Sequence, residues 1–309
     1  MGNQIKTTLL LTLMTVFFVF IGRILGGGQG MVLALIFAGV MNIASYWYSD
    51  KIVLKMYRAS EVSPEEAPEL YGIVKKLADR AGIPVPRICV IPQDSPNAFA
   101  TGRNPQNAVV AVTQGLLKLM NQDELEGVLA HELGHIRNRD ILIGTIAATM
   151  AGAVMVLANI AKWSAIFGGR DDERGGSAIG LFAMAIVAPL AAALIQMAIS
   201  RSREFQADAT SKEITGNGDA LANALGKLET YSKRIPMQAS PGTAHMFITN
   251  PLSGDRLMSL FATHPPIPER IARLQGRSSG NTSVRPQAQA SAHDHNVRDD
   301  AKDFWNRLS

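Results

Sequence analysis

The residues best suited to chemistry stand at positions 131–135, which read His-Glu-Leu-Gly-His. On a helix, His131 and His135 lie one turn apart on the same face. Two imidazoles at this spacing can coordinate a single zinc ion, while Glu132, beside them, faces the metal-bound water. The pattern therefore predicts a metal centre. The alternative is an amphipathic helix whose two histidines are neighbours on its polar face.

A helix is predicted around this pentapeptide. Asp123 followed by Glu126 predicts a capping box, in which each side chain accepts a hydrogen bond from an unpaired backbone N–H at the helix start. The apolar residues that follow recur at helical spacing, at Leu125, Val128, Leu129, Leu133 and Ile136.

A third metal ligand is predicted from the topology of the chain. Two apolar blocks, 141–163 and 178–200, follow the helix, and each is long enough to span a bilayer. Two crossings return the chain to the face it left, so Glu204, just after the second block, can meet the two histidines. Three protein ligands and a water are typical of a catalytic rather than a structural zinc site. The alternative is that both blocks are buried hairpin helices of a soluble core.

Two aspartates are candidates to orient the histidines. Asp208, one helical turn after Glu204, can accept a hydrogen bond from the free ring N–H of a ligating histidine, with His131 as the preferred partner. Asp140 is a candidate for the same task, and the alternative is a surface acid beside two arginines.

If the metal-bound water attacks a carbonyl group, the oxyanion that forms needs a hydrogen-bond donor, commonly worth about 3 kcal/mol. His264 and Arg203 are the candidates, and His264 is preferred because it lies in an otherwise apolar segment fixed by prolines. A structural histidine that caps a helix is the alternative for His264.

The chain begins with two more apolar blocks, 5–25 and 31–48, joined by a glycine-rich turn. The first resembles the apolar region of a signal peptide, but no A-x-A cleavage site follows it. We therefore interpret the two blocks as a helical hairpin that crosses the membrane twice, with Trp47 and Tyr48 at the interface. Together with the two later blocks, this predicts four crossings.

The region 59–122 is soluble in character. Ser63, Pro64 and Gly82 predict the cap, the first residue and the terminator of a helix. Three runs are interpreted as the strands of a small sheet beside helices, namely 87–91, 97–102 and 107–114.

The run 97–102 is a candidate substrate site. It is rich in small residues, so the backbone of a partner can approach closely, and an extended peptide can add to it as a further strand. A plain edge strand is an equally supported alternative. The residues expected to bind the substrate strand are Asn97, Ala98, Phe99, Ala100 and Thr101.

Charge and cysteine content narrow the class of protein. The net charge is +4, but the basic residues mostly flank the apolar blocks, which fits membrane topology and not a nucleic-acid-binding stripe. The single cysteine, Cys89, excludes an intrachain disulfide and is interpreted as a buried packing residue.

The positive-inside rule places both termini and the metal site in the cytoplasm. Under four crossings that face carries Lys6, Lys51, Lys55, Arg58, Arg137, Arg139, Arg201, Arg203 and Lys212.

These observations divide the chain into five parts. The fifth part, residues 276–309, is polar and is predicted to be a disordered tail in which His293 and His295 are solvated. The parts are a membrane hairpin (1–50), a cytosolic catalytic part with the His-Glu-Leu-Gly-His helix (51–140), a second membrane hairpin (141–200), a second catalytic part with Glu204 (201–275) and the tail (276–309).

Four motifs in this order closely resemble the bacterial HtpX family of membrane zinc proteases, which is related to the CAAX prenyl proteases. They are NAFATG (97–102), HELGH (131–135), SREFQAD (202–208) and FATHPPIPERIARL (261–274). The resemblance implies that His131, His135 and Glu204 are zinc ligands and that Glu132 is the catalytic acid/base. It also implies a cytoplasm-facing site that clears misfolded membrane proteins, often with a heat-shock link. Ile267-Pro268 departs from the more acidic version of the last motif.

The sequence thus predicts an α+β, mainly helical protein with a four-helix membrane region and a cytosolic zincin-like metalloprotease domain that contains a small sheet. The expected function is a bacterial inner-membrane endopeptidase with one zinc ion per chain, which acts on unfolded or damaged membrane proteins and is open to self-cleavage. No nucleic acid partner is expected, and the oligomeric state is left open. The alternatives are a dedicated processing protease of the prenyl-peptide type and a non-catalytic zinc-binding membrane protein.

Overall fold

A computed structural model of the chain describes residues 3–167, 201–232, 234–235, 237, 239–240, 242–249 and 265–276. These residues are mostly helical and include one small mixed sheet, as the sequence predicts. In chain order the elements are α1 (Asn3–Met56), β1 (Ser60–Glu61), α2 (Pro68–Ala81), β2 (Arg87–Ile91), β3 (Ala98–Gly102), β4 (Ala108–Thr113), α3 (Gln114–Leu119), α4 (Gln122–Arg137), α5 (Ile141–Phe167), α6 (Arg201–Thr215), α7 (Asp219–Ser232) and α8 (Ile267–Leu274).

Helix α1 consists of two arms that fold back on each other at the predicted glycine turn. Gly27 has a positive φ of 59°, which glycine adopts without steric cost, and the helix reverses there. The first arm (Ile5–Arg23) and the second arm (Gly26–Met56) are both long and apolar enough to cross a membrane. The arms pack antiparallel, and the Asn42 amide of the second donates a 2.8 Å hydrogen bond to the Thr15 hydroxyl of the first.

Helix α5 packs against both arms of α1. It runs unbroken for 27 residues, and its start coincides with the start of the third predicted span. The fourth predicted span, 178–200, lies outside the described residues, so four crossings stay a prediction. The apolar side chains that join these helices are Leu10, Met14, Phe18 and Ala38 of α1 and Ile143, Ile146, Ala147, Met150, Ala151 and Val154 of α5.

The sheet has four strands in the order β1-β2-β4-β3. Strand β2 is parallel to β4, whereas β3 is antiparallel to β4 and lies at the edge of the sheet. Alternate side chains point to opposite faces, and both faces are buried. One face packs against α2 and α4 through Ile88, Ala98, Ala100, Ala108, Val110 and Val112. The other packs against the end of α1 through Cys89, Ile91, Phe99, Val109 and Ala111.

The predicted start of helix α2 is wrong by four residues. The backbone N–H of Ser63 donates to the Glu66 carboxylate over 2.7 Å, and the Ser63 hydroxyl accepts from the N–H of Glu66 over 3.3 Å, but these bonds close only a turn. Ala67 precedes Pro68, whose ring excludes the helical conformation from the residue before it, and Ala67 has φ −141°. The helix therefore begins at Pro68. It ends as predicted, with Gly82 in the left-handed region.

Candidate metal centre

Helix α4 carries the His-Glu-Leu-Gly-His segment, and its capping box differs from the predicted one. The Asn121 side chain accepts a 2.9 Å hydrogen bond from the N–H of Glu124, and the Glu124 carboxylate accepts a 3.0 Å bond from the N–H of Asn121. The predicted pair, Asp123 and Glu126, is wrong. Glu126 instead lies 3.0 Å from the amine of Lys76. The shift leaves the spacing of the histidines unchanged.

A close contact between α4 and α6 places the third candidate ligand. A Cβ atom on Gly134, inside the pentapeptide, would lie only 3.2 Å from the Cα atom of Ala207 on α6. The absence of a side chain at this position lets the two helices approach. Glu204 stands about one turn before Ala207, so its carboxylate faces the two histidines.

Three donor atoms converge between α4 and α6. The Nε2 atoms of His131 and His135 are 3.2 Å apart, and the Glu204 carboxylate oxygens lie 3.8 Å and 3.6 Å from them. Donor atoms of all three residues lie within 4.8 Å of one another. Two imidazole nitrogens that face each other at this distance repel unless a proton or a metal ion lies between them. Two nitrogens and one carboxylate oxygen form a donor set that suits zinc.

Each histidine is oriented by an aspartate through its other ring nitrogen. Nδ1 of His131 lies 2.9 Å from the carboxylate of Asp208, and Nδ1 of His135 lies 3.2 Å from both oxygens of Asp140. A carboxylate at Nδ1 fixes the tautomer that leaves Nε2 free to bind a metal. Asp140 is only 6 % exposed, so the alternative of a surface acid is wrong.

Asp140 reaches His135 because the chain turns sharply between them. Arg139 has a positive φ of 56°, and the N–H of Asp140 donates to the carbonyl of His135 over 3.2 Å. This turn ends α4 and brings the carboxylate back under the histidine before α5 begins.

Comparison with known proteins identifies the family. Residues 64–278 match the sequence profile described as peptidase family M48. The protein described as "Protease HtpX homolog" of Desulforapulum autotrophicum is 62% identical over 311 residues, which cover 100% of both chains. Its counterpart in Pyrococcus furiosus is 54% identical over 276 residues, which cover 89% of this chain and 96% of the relative. The chain belongs to the HtpX proteases of peptidase family M48.

Membership of this family confirms the predicted activity, a membrane metalloprotease, and excludes the non-catalytic alternative. The fold is also similar to that of a solved protein. The solved structure "Crystal Structure of S. mikatae Ste24p" matches with a TM-score of 0.50 at 21% identity, over 88% of this chain and 65% of that chain.

In this M48 protease, the charges around the three donor atoms favour a cation. If all are ionised, the carboxylates of Glu132, Glu204, Asp208 and Asp140 face the guanidinium groups of Arg203 and Arg270, which leaves two negative charges in excess. Burial alone would lower the pKa of His135, but Asp140, Glu204 and Glu132 outweigh it and raise the pKa to about 10. A divalent cation would compensate the same charge, so the residues fit a metal ion.

Glu132 is buried beside the donor atoms and faces β3. Its carboxylate accepts a hydrogen bond from the backbone N–H of Ala100, and burial raises its pKa to about 7. A cavity opens in front of it, lined also by Arg203 and His245. Arg203, one of the two predicted candidates for stabilising the oxyanion, thus lies at the cavity. The second candidate, His264, lies outside the described residues.

The candidate substrate strand is only partly available. Asn97 precedes β3, and its side-chain amide donates to the carbonyl of Thr249 over 3.0 Å. The side chain of Phe99 packs in the core, and the Thr101 hydroxyl is 3.0 Å from that of Thr145. The carbonyl of Ala98 accepts a 3.1 Å hydrogen bond from the N–H of Ile248. Of the five predicted residues, only Ala100 lines the cavity, because the same side of Ala98 is already covered by Ile248.

Arg270, in helix α8, is a residue of the centre that sequence reasoning missed. It is 0 % exposed, and its guanidinium donates two hydrogen bonds to Asp208, over 2.9 Å and 2.7 Å. It also donates to the carbonyl of Ile248 over 3.3 Å. The sequence contains one signal for its burial, since Arg270 lies on the same helix face as the apolar residues Ile267, Ile271 and Leu274, but it does not identify the partner.

Proposed function

We propose that this M48 protease is a zinc endopeptidase that hydrolyses peptide bonds of misfolded or damaged membrane proteins, with one zinc ion per chain. His131, His135 and Glu204 would hold the ion. The observation that carries the proposal is the convergence of their three donor atoms within 4.8 Å, directly beside the buried carboxylate of Glu132. Asp208 and Asp140 would keep the two imidazoles in the tautomer that a metal requires.

Bound zinc would lower the pKa of a water molecule toward neutrality and polarise the carbonyl of the scissile bond. Glu132 would take the proton from the attacking water and deliver it to the leaving amine. A carboxyl group whose pKa lies near 7 can perform both transfers at neutral pH. Arg203, which lines the cavity, and His264 stay the two candidates for stabilising the oxyanion.

The substrate would bind as an extended strand beside β3. The backbone of Ala100 is directed toward the cavity, and Gly102, two residues further on, has its main chain on the same side. Pairing with the main chain carries no information about the side chains of the substrate, so it suits a protease that must accept many unfolded sequences.

We further propose a multi-pass protein of the bacterial inner membrane with the centre and both termini in the cytoplasm. The two arms of α1 and the apolar start of α5 support the membrane part. The excess of basic residues on one face of the predicted crossings, among them Lys51, Arg137 and Arg201, supports the orientation. In this arrangement, segments 51–140 and 201–275 would form the two catalytic parts.

The test uses the full chain in detergent with an unfolded protein as substrate. Glu132→Gln should lower the rate of cleavage by about 10²–10⁴-fold, the contribution of a general base, while metal analysis still finds one zinc per chain. Glu126→Gln is the matched control, because Glu126 lies on the same helix and pairs with Lys76 at the surface. It should leave the rate unchanged.

Unchanged cleavage by Glu132→Gln would reject Glu132 as the base. Loss of zinc from the wild type without loss of cleavage would reject the metal mechanism. A chelator should also suppress any self-cleavage that occurs during purification.

A further inference from the structure

A second cavity lies where the second arm of α1 meets the sheet. It has a volume of about 510 Å³, and its walls combine aromatic and basic side chains. From α1 it is lined by Trp47, Tyr48, Asp50 and Lys51, and from the sheet and the turn before β4 by Arg87 and Arg103, among others.

Two of the cations are held by aromatic rings. The guanidinium carbon of Arg103 lies 4.6 Å from the centre of the Trp47 ring, and the amine of Lys51 lies 5.5 Å from that of the Tyr48 ring. Neither forms an ion pair with an acid of the described residues. Arg87, in contrast, is paired with Glu61 at 3.0 Å and with Asp50 at 3.6 Å. The group of five charges therefore carries one positive charge in excess.

With the second arm of α1 across the membrane, as proposed above, the cavity would lie at the depth of lipid headgroups. The second arm has 31 residues, about 46 Å of helix, which exceeds the roughly 30 Å hydrocarbon core of a bilayer. Val40 and Ile43 are 62 % and 64 % exposed and suit contact with acyl chains. Trp47 and Tyr48, one turn further on, are half exposed, as aromatic residues at a membrane interface are. Lys51 follows after one more turn.

We propose that this cavity binds the headgroup phosphate of an anionic membrane phospholipid. The phosphate contacts Lys51 and Arg103, the glycerol region packs on Trp47 and Tyr48, and the acyl chains follow the exposed apolar side chains of the second arm. The single excess positive charge favours a lipid with a net charge of −1 over a zwitterionic lipid. This site takes no part in the peptide hydrolysis proposed above.

The test measures lipid binding by the delipidated full chain in detergent, using native mass spectrometry. Phosphatidylglycerol and phosphatidylcholine with the same acyl chains are added at equal concentration. The protein should retain more phosphatidylglycerol than phosphatidylcholine. The double variant Lys51→Gln/Arg103→Gln should bind phosphatidylglycerol about 30-fold more weakly, because each basic residue near anionic lipid contributes about fivefold. The control Lys75→Gln/Lys118→Gln removes the same charge from exposed positions elsewhere and should bind as the wild type does.

Two further measurements separate the proposal from loss of folding and from simple phosphate binding. Asp50→Asn removes the acid beside Arg87 and should strengthen binding of phosphatidylglycerol, a gain that misfolding cannot produce. Inorganic phosphate at millimolar concentration should not displace the bound lipid. Equal retention of the two lipids, equal loss in the control, weaker binding by Asp50→Asn, or displacement by free phosphate would each overturn the proposal.

Discussion

Replacing Arg270 by methionine tests how the metal centre is held together. Methionine fills a similar volume but carries no charge, so Asp208 is left as a buried carboxylate without its bidentate partner. Removing one member of a buried ion pair costs about 3–5 kcal/mol. Because Arg270 is 0 % exposed, solvent does not screen this cost.

Removing Arg270 also removes a positive charge beside the ligand Glu204, which by itself favours the ion. Because Asp208 then no longer holds His131 in place, the net effect should still be zinc binding that is weaker by about 10–100-fold, or about 1.4–2.8 kcal/mol. The expected loss of stability is larger than the expected loss of zinc-binding free energy, so Arg270→Met should also lower the thermal unfolding temperature of the zinc-free protein. Arg270→Lys keeps the charge but cannot make two parallel hydrogen bonds, and it should restore only part of the loss.

The assay is competition for zinc between the purified full chain and a chelator of known affinity, with thermal unfolding of the zinc-free protein followed in parallel. Arg273→Met is the control, because Arg273 lies on the same helix and its side chain is 53 % exposed. A double-mutant cycle with Asp208→Asn completes the test. The double variant removes both charges and should lose less than the sum of the single losses, whereas distant sites add within about 0.5 kcal/mol. Wild-type zinc affinity in Arg270→Met would refute the reasoning, since Asp208 would then hold His131 unaided.

Further predictions concern helix packing, the buried thiol and the metal ion. Gly127→Ala would place a Cβ atom 2.6 Å from the backbone nitrogen of Leu221 and should cost about 1–3 kcal/mol. Gly72→Ala meets no atom within 4 Å and should instead stabilise by about 0.4–1 kcal/mol, so thermal inactivation midpoints should move in opposite directions. Burial raises the pKa of the Cys89 thiol to about 11, so mass spectrometry should find Cys89 unalkylated by iodoacetamide at pH 8 until the protein is unfolded. Dialysis against a chelator should abolish proteolysis, and added zinc should restore it; activity that survives complete removal of metal contradicts the assignment.

The local part of the metal centre could be predicted from the sequence, because it depends on helical spacing alone. His131, Glu132 and His135 lie within two turns of one helix, so their relative positions follow from the period of the helix. The meeting of Glu204 with them needed one further assumption, that the two apolar blocks return the chain to the same side.

The capping box shows the limit of a local pattern. Asn121, Asp123, Glu124 and Glu126 offer overlapping cap-and-acid pairs with the same spacing, and the sequence contains no information that selects one. The choice depends on tertiary contacts, since Glu124 also accepts a 2.7 Å hydrogen bond from Lys227, more than one hundred residues later.

The parts that sequence reasoning missed depend on contacts between distant residues. Arg270 is buried because Asp208, 62 residues away, neutralises it, and a charged residue is ordinarily expected at the surface. The hydrogen bond between Ile248 and Ala98 likewise joins segments with no common pattern, and it decides how much of β3 a substrate can reach.

One guanidinium group spans the two halves of the active centre. The Arg270 guanidinium donates two hydrogen bonds to the carboxylate of Asp208, which orients His131. It donates another to the carbonyl of Ile248, whose backbone N–H is bonded to β3. A shortened chain that stops before Ile267 would keep every residue assigned to the ion and to the proton transfer, yet it would lack the tie between them. We therefore expect the smallest active fragment to extend through Leu274, so that α8 belongs to the catalytic unit although it supplies neither ligand nor base.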